Sequence, residues 1–241
     1  MMRLDVLLFQ KKMFPSREKA KDAIMRGIVK VNGVTIWKAG YVVEEDVEIS
    51  LTGEPIKYVS RAGLKLEKAK EYWNIDFNDK VVIDVGASTG GFTDFCLQNG
   101  AKYVYAVDVG TRQLHESLCD NPRVYNMQQT DFRTVNALSF SPEIAVCDVS
   151  FISLTKFAEA FRNMLEKDTK LIVLIKPQFE CGPEIAKKCK GIIKDEKLHN
   201  KIVKNITDFY EAYDFKLIGT TPSPILGGDG NKEFLAYFVK R

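Results

Sequence analysis

The chain has 241 residues, of which 45% are hydrophobic and 28% are charged, proportions that are ordinary for a soluble globular protein. No apolar stretch approaches the roughly 18–20 residues of a membrane-spanning helix, and no secretory signal is recognisable, so we expect a cytoplasmic protein without a membrane partner. Five cysteines without a Cys-x-x-Cys pair and only two histidines give no zinc-ligand spacing, and we expect no metal site.

The net charge of +3 is unevenly distributed along the chain. Residues 1–70 carry 14 Lys and Arg against 9 Asp and Glu, whereas residues 71–241 carry 21 against 23. A basic N-terminal part joined to a near-neutral body favours an anionic polymer as the partner. Charge alone does not distinguish nucleic acid from an acidic membrane.

The first fifty residues predict two helices followed by a β-hairpin. Leucines recur at helical spacing in residues 4–8. A second helix is expected after Ser16, a residue type that caps helix N-termini, and is expected to end at Gly27. The Asn32-Gly33 pair lies between two short apolar stretches, which is typical of a tight hairpin turn.

This series of elements resembles the S4-like RNA-binding domain. The resemblance is carried by Arg3-Leu4-Asp5, by Ser-Arg-Glu-Lys-Ala at 16–20 and by Gly-Ile-Val-Lys-Val-Asn-Gly at 27–33, and it covers residues 3–50. It implies a surface that contacts RNA phosphates rather than base edges, although solubilising surface charges are the alternative for any single residue. The residues that it implies on or near this surface are Arg3, Arg17, Lys21, Arg26 and Lys30.

Turn-forming residues at 52–55 predict a joint between two modules. We expect the S4-like α+β domain over 1–52, a linker over 53–58 and a second domain over 59–241. From residue 80 onward, apolar runs alternate with helical patterns, which indicates an α/β fold with a doubly wound, mainly parallel, seven-stranded sheet. The predicted strands are 80–85, 102–107, 123–127, 143–147, 170–175, 215–221 and 233–239, of which the last two form an edge hairpin.

A glycine-rich turn, Asp-Val-Gly-Ala-Ser-Thr-Gly-Gly at 84–91, follows the first of these strands. Small residues there let backbone N–H groups approach a ligand where open α/β sheets bind nucleotides. The spacing does not match the dinucleotide fingerprint or a phosphate-binding P-loop. It does match the Gly-x-Ser-x-Gly elbow of α/β-hydrolases, but that chemistry needs a late histidine. His199 is the candidate, and its polar neighbours predict an ordinary surface imidazole instead.

Two acids after the following strands indicate the cofactor. Asp108 ends the second strand, where a carboxylate can accept from both hydroxyls of a cofactor ribose, and Asp131 follows one strand later. With the glycine turn they resemble the S-adenosylmethionine site of class I (Rossmann-like) methyltransferases. The resemblance implies that Asp108 holds the ribose and that Asp131 accepts from the adenine amine, with a helix N-cap as the alternative for Asp131. The implied cofactor-binding residues are Asp84, Gly86, Ala87, Ser88, Gly90, Gly91, Asp108 and Asp131.

The sequence after the fourth strand bears on which atom is methylated. Residues 146–152 lack the Asp/Asn-Pro-Pro motif of amino methyltransferases. Cys147 and Cys181 lie near strand ends but lack the Pro-Cys setting of enzymes that methylate RNA carbons, and we expect Cys147 to be a small buried residue.

Two lysines and two carboxylates remain as candidates for the chemistry. Asp148 and Lys176 follow predicted strands, at the edge where the site of an open α/β sheet lies. A ribose 2′-hydroxyl needs a base, and a lysine can serve when a cation such as Lys65 and partial desolvation favour its neutral form. Glu233 and Asp148 would orient the ammonium groups, although Asp229, in the same glycine-rich loop, is an alternative to Glu233.

The series Lys65, Asp148, Lys176 and Glu233 resembles the FtsJ-type ribose 2′-O-methyltransferases. With the S4-like domain and the segments 60–66, 148–154 and 176–180, the whole chain resembles the TlyA, or hemolysin A, family of ribosomal RNA methyltransferases. The resemblance implies 2′-O-methylation of a ribose, often in cytidine, in ribosomal RNA or ribosomal subunits, with Lys176 as the base. Two competing hypotheses are a membrane-active hemolytic protein and a non-catalytic RNA-binding factor for ribosome assembly.

Overall fold

The computed structural model describes residues 1–25, 27–36, 38–52, 57–189, 191–227 and 230–241. The chain divides into two compact units, Met1–Arg61 and Ala62–Arg241. Residues 53–56 of the predicted linker lie outside the described residues, and the linker itself stays a prediction.

The described part of the N-terminal unit contains short strands and two helices that share one apolar core. Its elements are β1 (Met2–Arg3), α1 (Leu4–Gln10), α2 (Arg17–Met25), β2 (Val29–Val31), β3 (Val34–Thr35), β4 (Val42–Val43) and β5 (Ile49–Leu51). β1 pairs with β4, and β2 lies between β3 and β5, all antiparallel. Ser16 Oγ accepts from Lys19 N at 3.2 Å, and Asn32 and Gly33 both have positive φ. The predicted helix, helix, hairpin order is therefore confirmed.

The second unit alternates strands and helices. Its strands are β6 (Val81–Val85), β7 (Tyr103–Val107), β8 (Val124–Met127), β9 (Ile144–Cys147), β10 (Lys170–Ile175), β11 (Phe215–Pro222) and β12 (Phe234–Lys240). Its α-helices are α3 (Gly63–Trp73), α4 (Gly91–Gln98), α5 (Glu116–Cys119), α6 (Ala158–Met164), α7 (Pro177–Glu180), α8 (Pro183–Lys188) and α9 (Glu196–Ala212). One-turn 3₁₀ helices occur at Phe132–Thr134 and Leu154–Lys156.

These strands form one sheet in the order β11-β12-β10-β9-β6-β7-β8. β6 to β10 run parallel, whereas β12 is antiparallel to both of its neighbours. All five residues of β6 are buried, as expected for a strand covered on both faces. The predicted sheet and its edge hairpin are confirmed, with each strand boundary within one residue of the prediction.

The topology brings distant segments to one edge of the sheet. The parallel strands β6, β7, β9 and β10 all end there, so the residues that follow them are neighbours in space. Since β12 runs antiparallel with Phe234 opposite Ile175, the residue before β12 reaches the same edge as the residue after β10. This edge therefore collects Asp148, Lys176 and Glu233.

The prediction that His199 is a surface residue is wrong. His199 is 2% exposed, and its ring centroid lies 5.4 Å from that of Phe234. It shares one face of α9 with the buried residues Ile202, Ile206 and Tyr210, at the spacing of successive helix turns. The polar residues next to it in sequence project from other faces of the helix, which is why the local composition was misleading.

Candidate active site

A cavity of about 550 Å³ opens at the edge where the parallel strands end. Its lining includes Gly86, Ser88, Asp108, Asp131, Asp148 and Phe151. The volume falls within the range of small-molecule sites. Four of the eight residues predicted to bind a cofactor therefore line one cavity, whereas Asp84, Ala87, Gly90 and Gly91 are not part of its described lining.

The glycine turn permits a close approach between two strand ends. Gly86 has a φ of +82°, and a Cβ atom there would lie 2.7 Å from the backbone oxygen of Asp148. Gly90 has a φ of +92°, and a Cβ atom there would overlap Leu118 and Leu114. Any side chain at these positions would be strained and would displace its neighbours.

Asp108 ties the glycine turn to the loop after β7. Its Oδ2 accepts from Ser88 N at 2.8 Å, and its Oδ1 accepts from Gly110 N at 2.7 Å. A carboxylate offers about four acceptor sites, so lone pairs remain for the hydroxyls of a ligand. The ribose contact of Asp108 stays a prediction.

Asp131 makes the helix cap that was the alternative to adenine binding. It accepts from Arg133 N at 3.0 Å, at the start of the one-turn helix, and its Oδ2 lies 2.6 Å from Arg133 Nη2. The arginine outweighs the effect of burial and lowers the pKa of this carboxyl. Its contact with adenine stays a prediction, supported by its position in the cavity wall.

Asp84 is a fully buried acid behind the glycine turn. Its Oδ2 accepts from Thr93 Oγ1 at 2.7 Å, and its Oδ1 has no hydrogen-bond partner among the described residues. Burial, reinforced by the nearby Asp148, outweighs the Thr93 hydrogen bond and raises the pKa of Asp84 to about 7.

Lys65, Asp148, Lys176 and Glu233 form one continuous series of ion pairs. Lys176 Nζ lies 2.6 Å from Asp148 Oδ1, and Lys65 Nζ lies 3.4 Å from Asp148 Oδ2 and 2.7 Å from Glu233 Oε2. None of the four side chains is more than 13% exposed. Positive and negative groups alternate, so the series is formally neutral. Asp229, the alternative to Glu233, lies outside the described residues.

The ion pairs favour the charged forms of Lys65 and Asp148. Burial lowers the pKa of Lys65, but Asp148 and Glu233 outweigh it, and the pKa is raised above its usual value. Burial likewise raises the pKa of Asp148, but Lys65 and Lys176 outweigh it and lower the pKa. Charges buried in this way are held by their partners, as buried charges must be.

Sequence reasoning missed two residues of the loop after β9. Ser150 lines the cavity, and its Oγ accepts from Lys176 Nζ at 2.7 Å. Phe151 lies at the cavity with 89% of its surface exposed and a φ of +64°, unusual for a bulky residue. The signal in the sequence was an aromatic residue, Phe151, flanked by Ser150 and Ser153 just after a buried strand.

Glu180 fastens this loop to the helix that follows Lys176. Its Oε2 accepts from Ser153 Oγ at 2.6 Å, and its Oε1 accepts from Leu154 N at 2.8 Å. Tyr210 Oη donates to the carbonyl oxygen of Leu154 at 2.9 Å. The segment after Asp148 and the segment after Lys176 are therefore held together by hydrogen bonds.

The Cys147 thiol is poorly suited to nucleophilic chemistry. Cys147 is fully buried, as predicted, and burial raises the pKa of its thiol, which disfavours the thiolate nucleophile. Within the described ranges, no group of three or more His, Cys, Asp or Glu residues could hold a metal ion.

No described helix is both long and apolar enough to cross a membrane.

In the N-terminal unit, Asp5 holds two of the predicted RNA-binding arginines. Asp5 is buried, and its carboxylate lies 2.9 Å from Arg3 Nε and 3.2 Å from Arg17 Nη2. Both arginine side chains are about half exposed. Lys21 is exposed one turn after Arg17 on α2, and Lys30 is half-buried on β2. Arg26 lies outside the described residues.

Comparison with known proteins places the chain in a family. The sequence model described as FtsJ-like methyltransferase matches residues 58–240, and that of the S4 domain matches residues 2–49. Hemolysin A of Brachyspira hyodysenteriae is 42% identical over 99% of this chain and 100% of its own.

Two further relatives extend over most or all of the chain. The 23S rRNA (cytidine-2′-O)-methyltransferase TlyA of Campylobacter jejuni is 36% identical, covering 99% of this chain and 100% of its own. A solved structure described as "Putative hemolysin from Streptococcus thermophilus" is 44% identical, with a TM-score of 0.78, covering 99% of this chain and 88% of its own. The resemblance inferred from the sequence is confirmed: the chain belongs to the FtsJ-like methyltransferase family, with an S4 domain ahead of the methyltransferase unit.

Proposed function

We propose that this protein transfers a methyl group from S-adenosylmethionine to the 2′-hydroxyl of a ribose, in a cytidine of ribosomal RNA. The observation that carries the proposal is the buried series of Lys176, Asp148, Lys65 and Glu233 beside the cavity. A relative at 36% identity is named as a cytidine-2′-O-methyltransferase of 23S rRNA, which supports the reaction and the substrate. A cytoplasmic location, where ribosomes are, belongs to the same proposal.

The cavity is the proposed cofactor site, with contacts from the glycine turn and the loops beside it. S-adenosylmethionine, when bound, supplies an electrophilic methyl group. Asp108 would accept from the ribose hydroxyls, and Asp131 would accept from the adenine amine. Gly86 and Ser88 would border the methionine part, and the lack of a Cβ at Gly86 lets the turn pack against the backbone of Asp148 beside it.

Lys176 is the proposed base. In its neutral form, Nζ would accept the proton of the ribose 2′-hydroxyl as the oxygen becomes nucleophilic. Asp148 fixes the position of Nζ through the 2.6 Å contact, and Lys65 offsets the charge of Asp148. Glu233 in turn pairs with Lys65, so that the site is not uniformly positive.

The N-terminal unit supplies the proposed RNA contacts. Arg3 and Arg17 are half exposed and are oriented by Asp5, so their outer N–H groups can donate to phosphate oxygens. Lys21 adds a charge on the same helix as Arg17. Such contacts hold RNA without reading its sequence, which leaves the choice of nucleotide to the methyltransferase unit.

The test is incubation of the full-length protein with unmethylated ribosomal subunits and radiolabelled S-adenosylmethionine, followed by mapping of 2′-O-methyl groups. We expect label at a cytidine ribose with wild-type protein and none with Lys176→Ala, while calorimetric cofactor binding survives in the variant.

Other outcomes would contradict the proposal in distinct ways. Near-normal methylation by Lys176→Ala would exclude Lys176 as the base. Cofactor binding without methylation of either subunit or of naked rRNA would favour the assembly-factor hypothesis. Lysis of erythrocytes by detergent-free protein, equal in wild type and Lys176→Ala, would favour the hemolysin hypothesis.

A further inference from the structure

The ammonium group of Lys176 has two polar partners, and only one of them is a carboxylate. Asp148 Oδ1 lies 2.6 Å from Nζ, and Ser150 Oγ lies 2.7 Å from it. Among the described residues no third acceptor lies within hydrogen-bonding distance, and the Phe179 ring centroid is 6.0 Å away. In the neutral amine that a base requires, Nζ has two N–H bonds and one lone pair besides its bond to Cε, so two partners for the N–H bonds leave the lone pair for another group.

Two partners, Asp148 and Ser150, determine the direction of the position that remains on Lys176 Nζ. A single partner would leave two possible directions. With Asp148 alone, the second N–H bond and the lone pair of the neutral amine could exchange their two positions. The hydrogen bond to Ser150 occupies one of these positions, which leaves the lone pair in the other. Proton transfer depends on this direction, since a misplacement of about 1 Å can cost a hundredfold in rate.

The hydroxyl of Ser150 lies between the open cavity and Lys176. Ser150 is exposed at the cavity, whose lining it shares with Asp148 and Asp108. It belongs to the loop that Glu180 fastens at Ser153 and Leu154, so the backbone that carries it is anchored. Its hydroxyl thus links the open cavity to Lys176, a residue that is only 8% exposed.

We propose that Ser150 is a positioning residue for Lys176, whose hydroxyl fixes the one Nζ position left for the substrate proton. This inference rests on the proposed function, because it takes Lys176 as the base. It assigns to Ser150 an effect on the rate of methyl transfer and not on the binding of cofactor or RNA.

The experiment compares Ser150→Ala, Ser150→Thr and Lys176→Ala in the full-length protein, with unmethylated ribosomal subunits and radiolabelled S-adenosylmethionine. For Ser150→Ala we expect kcat to fall about 10- to 100-fold, with KM for the subunits and the Kd for cofactor changed less than about twofold. For Ser150→Thr, which keeps the hydroxyl, we expect kcat to recover to within about threefold of wild type. Ser141→Ala is the matched control, since Ser141 is exposed and bonds Glu166 before β9, at the opposite edge of the sheet.

Each remaining outcome contradicts a defined part of the inference. Wild-type kcat in Ser150→Ala, with Lys176→Ala inactive, would overturn the role of Ser150 alone. Equal losses in Ser150→Ala and Ser150→Thr would show that the hydroxyl is not the reason, and would also overturn it. Normal turnover by Lys176→Ala would overturn the proposed base and with it the positioning role.

Discussion

Lys65 Nζ lies 2.7 Å from Glu233 Oε2, although the two residues come from opposite ends of the methyltransferase unit. Lys65 is on α3, the first helix of that unit, and Glu233 immediately precedes its last strand. The two side chains are only 8% and 3% exposed, so water screens neither charge effectively. The pair therefore connects the start and the end of the unit inside the site.

Removing one partner of this pair should destabilise the fold more than removing both. Lys65→Met leaves Glu233 as a buried carboxylate without its cation, and we expect the free energy of unfolding to fall by about 3–5 kcal/mol. Adding Glu233→Gln should recover part of that loss. Urea unfolding of wild type, both single variants and the double variant measures the coupling. Strictly additive effects would contradict a direct interaction.

The stability contributed by Asp84 should decrease as pH rises. The unfolded carboxyl loses its proton near pH 4, whereas the folded one keeps it until the pKa of about 7. Between these values the native state binds more protons, so stability falls with pH by a few kcal/mol in total. Measured against Asp84→Asn, which does not titrate, wild type should lose stability from pH 5 to pH 8. If the difference in unfolding free energy between wild type and Asp84→Asn stayed constant from pH 5 to pH 8, the raised pKa of Asp84 would be refuted.

Gly86→Ala should cost more stability than its backbone conformation alone explains. A positive φ costs alanine about 1–2 kcal/mol, and here the new Cβ would also meet the backbone oxygen of Asp148 at 2.7 Å. Gly191→Ala is the control, because Gly191 has a φ of +77° and a Cβ there would meet no described atom within 4 Å. Thermal or urea unfolding of the two variants should give a clearly larger loss for Gly86→Ala, with weaker cofactor binding. Equal losses would argue against a close approach.

Asp108→Ala should weaken cofactor binding at least about tenfold, since hydrogen bonds to a charged group contribute about 1.5–3 kcal/mol. The variant also frees Ser88 N and Gly110 N, which Asp108 now binds. Titration calorimetry with S-adenosylmethionine measures the change, with exposed Asp120→Ala as the control for loss of one acidic charge. An unchanged Kd in Asp108→Ala would rule out the ribose contact.

Arg17→Ala should reduce RNA affinity in a salt-dependent manner. If Arg17 contacts a phosphate, its loss should lower the slope of log K against log salt by about 0.7–1. Lys102→Ala removes one charge from an exposed position before β7 and should leave the slope unchanged. Filter binding to an rRNA fragment from about 50 to about 300 mM salt would measure both. Equal slopes for Arg17→Ala and wild type would make Arg17 a structural partner of Asp5 only.

The sheet could be predicted because its inner strands are continuous apolar runs between helical patterns. The strands β6, β7, β9, β10 and β12 are paired on both sides, so local sequence and final burial agree there, whereas the edge strands β8 and β11 are only partly buried. His199 is the counterexample, since its burial depends on the face of α9 on which it lies rather than on its neighbours in sequence.

The candidate site was predictable to the extent that its residues follow strands. Asp108, Asp148 and Lys176 come directly after β7, β9 and β10, and parallel topology brings them together. Ser150, Phe151 and Glu180 were missed because their roles depend on contacts between loops, such as Glu180 with Leu154, which no local pattern encodes. For Asp131 the sequence left two alternatives, a helix cap and a cofactor contact. In the structure Asp131 caps the one-turn helix and also lines the cavity, so the two positions do not exclude each other.

The antiparallel direction of β12 has a consequence for the order in which the site is assembled. Pairing of β12 with β10 brings Glu233 next to Lys65. Because β12 is synthesised after the other strands of the site, Lys65 and Lys176 can surround Asp148 before Glu233 is in place. The unfinished site carries an excess positive charge, and docking of the last strand neutralises it. Pairing of β12 with β10 thus completes both the sheet and the charged site.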